Sequence, residues 1–311
     1  MSKIALLFTG QGSQFSGMGK DFCEKYSAAK AVFDKFNEVI GKNIAELSFN
    51  GSDDDLKQTI NAQPCILAME IAALEALKSE LKIEIAYAAG HSLGEYAALY
   101  AAGVIDIETA AKLINARANA MSKVSSGAMS AIIGLSDELL QEVLKEASEV
   151  GYVDAANYNT PEQTVITGED VAVAKANELA LAKGAKRALP LAVSGAFHSK
   201  LMSEAAQEFQ QFSSVVTLTD AKYPVITNVD AQETILADDF REKMPAQIYS
   251  SVRWVQTLNY LKSQGVDTFI EVGPAKILTG MVRKTLKDVN ATAICTVADL
   301  EKLVSEYKVE V

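Results

Sequence analysis

Apolar residues arrive in short unbroken runs at the start of this chain. Residues 4–8 (Ile4-Ala5-Leu6-Leu7-Phe8) and 85–89 (Ile85-Ala86-Tyr87-Ala88-Ala89) carry no charge, the mark of strands covered on both faces. Between and after them the spacing changes to the three-and-four repeat of helices, near 19–41, 64–81, 95–102 and 107–123. Strand and helix in alternation predict an α/β fold with a mostly parallel sheet. Gly127 opens a different pattern: strand at 129–135, helix at 137–148 with Asp137 in its first turn, strands at 153–157 and 164–167, helix at 171–183, strand at 187–193. That βαββαβ order is the ferredoxin-like split unit. From His198 the α/β pattern resumes, with strands at 225–227 and 268–272. The expected organisation is one α/β domain made of residues 1–126 and 198–311, with a ferredoxin-like subdomain, 127–197, inserted into it.

Composition narrows the function classes. The chain has 311 residues, 49% hydrophobic and 22% charged, enough to bury a sizeable core. Cys23, Cys65 and Cys295 lie far apart without metal-ligand spacing, so they read as buried thiols in a reducing, cytoplasmic compartment and no metal site is expected. A net charge of −11 argues against nucleic acid, whose phosphates need a basic face. The first strand runs into a glycine loop, not a signal-peptide core, and no apolar stretch reads as approaching the ~20 residues of a membrane span.

The chemistry concentrates in Gly90-His91-Ser92-Leu93-Gly94, set between a predicted strand and a predicted helix. Glycines at both ends let the backbone turn sharply and let neighbouring elements close on it. Ser92 then stands at the apex, with helix N-terminal amides beneath it to receive an oxyanion. A nucleophilic serine needs a base, and only His91 and His198 exist. His91 adjoins Ser92 and should point away, holding the turn. His198 is the candidate base. A third group should orient its imidazole; Asp154, Asp170 and Glu204 are available, and none stands in a telling motif. On the helix at 107–123, Glu108, Lys112, Asn115, Asn119 and Ser122 share a polar face, while Arg117 falls opposite, among Ala110, Leu113 and Met121. A permanent cation on an apolar stripe implies either a core ion pair or a clamp for a carboxylate that arrives with the substrate. Gly10-Gln11-Gly12-Ser13-Gln14 follows the first strand. It lacks the register and lysine of a phosphate loop, and its Gln11 amide offers a second oxyanion donor.

Taken together these segments resemble the malonyl-CoA:acyl-carrier-protein transacylases of bacterial fatty-acid synthesis. The likeness runs nearly the full length, through Gln63-Pro64, Gly90 to Tyr96, Asn157-Tyr158-Asn159-Thr160-Pro161, Gln247-Ile248-Tyr249 and Glu271-Val272-Gly273-Pro274. It implies a hydrolase-like α/β core with the inserted ferredoxin-like unit, Ser92 as nucleophile and His198 as base. It also implies oxyanion amides at Gln11 and Leu93, and Arg117 on the malonyl carboxylate. In this family a carbonyl at the Gln247 position, not an acid, orients the histidine. Gln63 and Asn159 are implied near the pocket, and Phe197 should fill the space an α-methyl on the substrate would need. The partners implied are malonyl-CoA and acyl carrier protein, with no cofactor, in fatty-acid or alternatively polyketide synthesis. Carrier proteins are acidic, so a local basic patch is expected, at Lys183, Lys186 and Arg187 or at Arg283, Lys284 and Lys287. Ala196 and Ser251 stand where the family commonly has proline, which implies a looser backbone at each. Two rivals remain: an esterase, which should show an acid before its histidine, and a non-catalytic docking subunit, which should lack the reacting groups.

Overall fold

Ile4, Leu6 and Phe8 join one apolar cluster and Ala5 and Leu7 another, so the first strand is sealed on both faces by side chains that alternate about its axis. The computed structural model describes residues 2–193 and 195–309. Its elements begin β1 (Ile4–Phe8), α1 (Lys20–Lys25), α2 (Ser27–Ile40), α3 (Ile44–Asn50), α4 (Asp53–Lys57), α5 (Thr59–Glu80), β2 (Ile85–Gly90), α6 (Gly94–Ala101) and α7 (Ile107–Ser122). Then follow β3 (Ala128–Ile133), α8 (Asp137–Ala147), β4 (Val153–Thr160), β5 (Gln163–Gly168), α9 (Asp170–Ala182) and β6 (Arg187–Pro190). The chain closes with α10 (Ser203–Ser213), β7 (Val225–Ile226), β8 (Glu233–Thr234), α11 (Ala237–Tyr249), α12 (Trp254–Ser263), β9 (Thr268–Val272), α13 (Leu278–Thr285), β10 (Asn290–Ile294) and α14 (Val297–Val309).

Six strands form the main sheet in the order β10-β9-β1-β2-β7-β8. All neighbours are parallel except β7 and β8. The second sheet runs β4-β5-β3-β6 and is antiparallel throughout, the order expected of a βαββαβ unit. Its own apolar cluster lies between the sheet and α8 and α9. Val252, between α11 and α12, ties the second sheet to that part of the chain: it donates its N–H to the Ala156 carbonyl at 2.8 Å and accepts from the Tyr158 N–H at 2.9 Å.

Several elements differ from the sequence expectation. The helix expected over 19–41 is two, because Tyr26 adopts extended angles between them. The short α3 and α4 were not foreseen. Each begins at a capping side chain, Asn43 accepting from the Glu46 N–H and Ser52 from the Asp55 N–H. Helix α5 begins at Thr59, ahead of Pro64. It also overturns the expectation about apolar stretches: at 22 residues it is long and apolar enough to cross a membrane, yet 89% of its most apolar window is buried inside the protein.

Candidate active site

The two glycines of the serine motif are required by contact. A Cβ on Gly90 would lie 1.9 Å from the Gly94 carbonyl carbon, and one on Gly94 would lie 2.3 Å from the Thr9 oxygen and 2.4 Å from that of Phe8. Between them Ser92 has φ of 54°, the left-handed region that costs a non-glycine residue about 1–3 kcal/mol unless its surroundings hold it. Asn228, two residues past the end of β7, holds it. Its Oδ1 accepts the Ser92 N–H at 2.7 Å and its Nδ2 donates to the Gly90 carbonyl at 2.7 Å. Its own N–H donates to Glu95 Oε2 at 2.7 Å. Gln247, on α11, donates from Nε2 to the Ser92 carbonyl at 3.0 Å.

Ser92 Oγ lies 2.8 Å from His198 Nε2. On the far side of the ring Nδ1 faces two main-chain oxygens, Gln247 at 3.0 Å and Ser250 at 3.2 Å. Both can only accept, so Nδ1 carries the hydrogen and Nε2 presents its lone pair to the serine hydroxyl. Asp154, Asp170 and Glu204 take no part in this orientation. Burial, and after it the Arg117 charge, pull the His198 pKa down to about 3, so the imidazole is neutral and ready to accept a proton. His91 turns away from the hydroxyl: its Nε2 pairs with Asn159 Oδ1 at 2.8 Å and its ring meets Trp254 edge-on. Asn159 therefore braces the turn, and Asn157, not Asn159, lines the cavity.

Arg117 is fully buried. Nη1 donates to Gln63 Oε1 at 2.8 Å, and Nη2 donates to Gln247 Oε1 at 3.0 Å and to Ser92 Oγ at 3.1 Å. Its guanidinium carbon stands 5.7 Å from the Tyr96 ring centre, and Nε has no acceptor among the described residues. Every hydrogen-bond acceptor it meets is neutral. The core ion pair that sequence left open is not formed among the described residues.

A cavity of about 330 Å³ opens onto Ser92 and His198. Gln11, Gln63, Met121, Met129 and Phe197 lie along its walls; Arg117 does not line it but bonds two residues that do, Gln63 and Ser92. Neither the Gln11 nor the Leu93 main-chain N–H finds an acceptor among the described residues, and Leu93 heads α6, where helix amides converge. The Gln11 side chain points elsewhere, donating to Thr59 Oγ1 at 3.2 Å. The two positions where proline was expected are tied down by other means. The Ala196 N–H reaches the Ser126 carbonyl at 3.3 Å, a bond proline cannot make. Ser251 Oγ donates to the Ala155 carbonyl at 2.6 Å.

Acyl transfer through a serine needs a hydroxyl beside a neutral imidazole and unoccupied amides; the arrangement supplies these, with a buried cation bonded to the same hydroxyl. Asn228 and Glu95 were missed in the sequence. The available signals were a lone asparagine at the carboxyl end of a buried strand and an acid directly after the motif.

Known acyltransferases resemble the chain over nearly its whole length. Residues 5–307 match the family model described as acyl transferase domain. The malonyl CoA-acyl carrier protein transacylase of Bacillus subtilis (strain 168) is 43% identical over 314 residues, covering 100% of this chain and 99% of that protein. A solved acyl carrier protein S-malonyltransferase from Vibrio cholerae O1 biovar eltor superposes with a TM-score of 0.94 at 39% identity, covering 97% of this chain and 100% of that one. Another solved structure, a type II PKS acyl-carrier protein in complex with its malonyl-transacylase, superposes with a TM-score of 0.95 at 35% identity, covering 98% of this chain and 100% of that one.

Proposed function

The chain belongs to the acyl transferase family, and from that premise we propose how its residues carry the reaction. The reaction is transfer of a malonyl group from malonyl-CoA to acyl carrier protein, supplying fatty-acid synthesis. Ser92 Oγ attacks the thioester carbonyl while His198 Nε2 takes its proton. The Gln247 and Ser250 carbonyls stabilise the imidazolium that forms. The tetrahedral oxyanion settles on the Gln11 and Leu93 amides. As it collapses, His198 returns the proton to the departing coenzyme A sulfur and leaves a malonyl ester on Ser92. The phosphopantetheine thiol of the carrier protein then gives its proton to His198 and attacks that ester, and the proton goes back to Ser92.

Arg117 holds the malonyl carboxylate throughout. One observation carries this reading: a fully buried guanidinium with only neutral acceptors donates to the nucleophile itself at 3.1 Å. A substrate carboxylate that displaces the Gln63 oxygen would give Arg117 an anionic partner in direct hydrogen-bond contact, with a bidentate geometry that lysine lacks. Phe197, beside the base, limits room at the acyl α-carbon. Residues 127–197 form the inserted subdomain and 1–126 with 198–311 the catalytic domain. The protein works in the cytoplasm, in keeping with its three free thiols. A polyketide pathway is the second reading, because one similar structure is a type II PKS complex.

The test is intact-mass analysis after mixing with malonyl-CoA, then peptide mapping. A malonyl increment on Ser92 supports the mechanism, and an increment on another residue defeats it. Net hydrolysis alone identifies an esterase, and no reaction a docking protein.

A further inference from the structure

Glu95 follows the nucleophile motif, is buried at 2% exposure, and has no step in the mechanism above. It occupies the first turn of α6, where the helix dipole favours negative charge. Its Oε2 holds the Asn228 N–H, and the Asn228 side chain clamps both Gly90 and Ser92. Gln247 joins the Ser92 carbonyl to Arg117. Carboxyl, guanidinium and nucleophile thus belong to one buried network spanning α6, α7, α11 and the turn after β7.

The groups facing Glu95 pull in both directions. Burial disfavours its carboxylate and raises its pKa to about 7. The Asn228 N–H, the Gln247 amide and the Arg117 charge oppose that rise, and Asp230 adds to it. Asp230 is itself paired with Lys243 at 2.8 Å. Tyr96, beside it on α6, is held neutral by burial. Burial is the first cause that lowers the pKa of both His91 and His198, the two histidines at Ser92.

We propose that Glu95 is the internal counter-charge of Arg117 and that a carboxylate-bearing acyl thioester replaces it, Glu95 taking up a proton as the acyl carboxylate pairs with Arg117 and releasing it when the acyl group leaves. The proposal rests on the reading of Arg117 as the carboxylate site. Its sign follows from electrostatics. The incoming carboxylate adds a negative potential at Glu95 that offsets the Arg117 field, which favours the protonated form of Glu95. A group whose pKa rises on binding takes up a proton, so binding is tightest where Glu95 is already protonated and weakens as pH rises through about 7. Wherever Glu95 is protonated, two buried carboxylates do not compete for one guanidinium. Glu95 acts through Arg117 and is a positioning residue.

The experiment uses the Ser92→Ala protein, which binds without turnover, in calorimetric titrations with malonyl-CoA and acetyl-CoA in buffers of different ionisation enthalpy. A substantial fraction of a proton should be taken up near neutral pH with malonyl-CoA and none with acetyl-CoA. For a one-unit rise of the Glu95 pKa, malonyl-CoA affinity should fall about tenfold between about pH 6 and about pH 9. Adding Glu95→Gln should abolish the uptake and hold affinity at its acid-side value. If malonyl-CoA binds no better than acetyl-CoA, the Arg117 reading itself fails. If malonyl preference stands while uptake is absent, or persists in Glu95→Gln, the proposal is overturned. Should Glu95→Gln not fold, difference infrared spectra of Ser92→Ala decide. A buried carboxylic acid band gained with malonyl-CoA but not acetyl-CoA supports the proposal, and its absence overturns it.

Discussion

His198 shows how one side chain's surroundings set the working pH. Its pKa lies near 3, chiefly through burial and secondarily through Arg117, against an unfolded value of about 6.5. Above about pH 6.5 both states are neutral, and below it the unfolded chain binds the proton that the folded site refuses. Stability therefore declines as pH falls from about 6.5 toward the folded value. The free base stays available over the same range, so the kcat/KM for malonyl loading should show no acid limb centred near pH 6.5. Stopped-flow loading across that range checks it, and a limb there would mean that the site charges its histidine more easily than its burial implies. Asn228 makes a second prediction. Asn228→Ala leaves the Ser92 N–H and the Gly90 carbonyl without partners, a cost of about 1–3 kcal/mol. If half of that falls on the transition state, kcat/KM drops about two- to twelvefold while the malonyl adduct still forms on Ser92. Unchanged kinetics would show that the strained turn holds without its strap. That Ser92, His198 and Arg117 meet in space was legible in the sequence because each is scarce or out of place there: one serine between paired glycines, one spare histidine, one cation on an apolar stripe. Asn228, Glu95 and the Ser250 carbonyl were not, because their importance lies in contacts across 133 residues or more for the first two and 52 for the third, and nothing local marks them.

The elements were legible where periodicity was strong and blurred where caps or single residues decide. Strands β1 and β9 match their expected bounds, since a run buried on both faces has sharp edges. Tyr26 divides α1 from α2 with no glycine or proline to announce it. Helix α5 keeps Pro64 inside it because burial of the whole helix outweighs one lost backbone bond. The junction of β2 and α6 is the element-scale test. Gly94 lies against the main-chain oxygens of Phe8 and Thr9, backbone that cannot swing aside as a side chain can. Gly94→Ala should force α6 away from β1, destabilise the protein by about 1–3 kcal/mol and lower Tm by several degrees. It should also disturb the loop carrying Gln11, just beyond Thr9, and so reduce loading more than the loss of fold accounts for. Calorimetry beside burst kinetics separates the two. Wild-type stability in Gly94→Ala would contradict the contact.

At the scale of the molecule, sheet direction decides which basic patch can meet the carrier protein. The parallel strands deliver the Gln11 loop, Ser92 and Asn228 at their carboxyl ends. Helix α13 starts at that end, where Glu271 accepts the N–H groups of Ile277, Leu278 and Thr279, and runs back along the sheet. Asn290, which opens β10, pairs with Thr268 at the start of β9. Arg283, Lys284 and Lys287 therefore lie toward the amino ends of the strands, away from the cavity. The other patch leads to the cavity: β6 begins at Arg187, and Leu191, Ala192 and Val193 beyond it line the opening. Within that patch Lys183 already pairs with Glu142 at 3.0 Å and Lys186 lies 3.7 Å from Glu162, leaving Arg187, exposed on an edge strand, as its freest charge. In a protein of net charge −11, an acidic partner needs such a local exception. Arg187→Glu should raise the KM for carrier protein about fivefold at low salt, the effect of roughly 1 kcal/mol at an exposed pair. Malonyl loading from coenzyme A should be unchanged, and the effect should shrink as salt screens it. Reversing Arg283, Lys284 and Lys287 together should leave that KM alone. The opposite pattern, with the α13 cluster sensitive and Arg187 silent, would place docking at the far end of the sheet and break the link between carrier-protein binding and the cavity mouth.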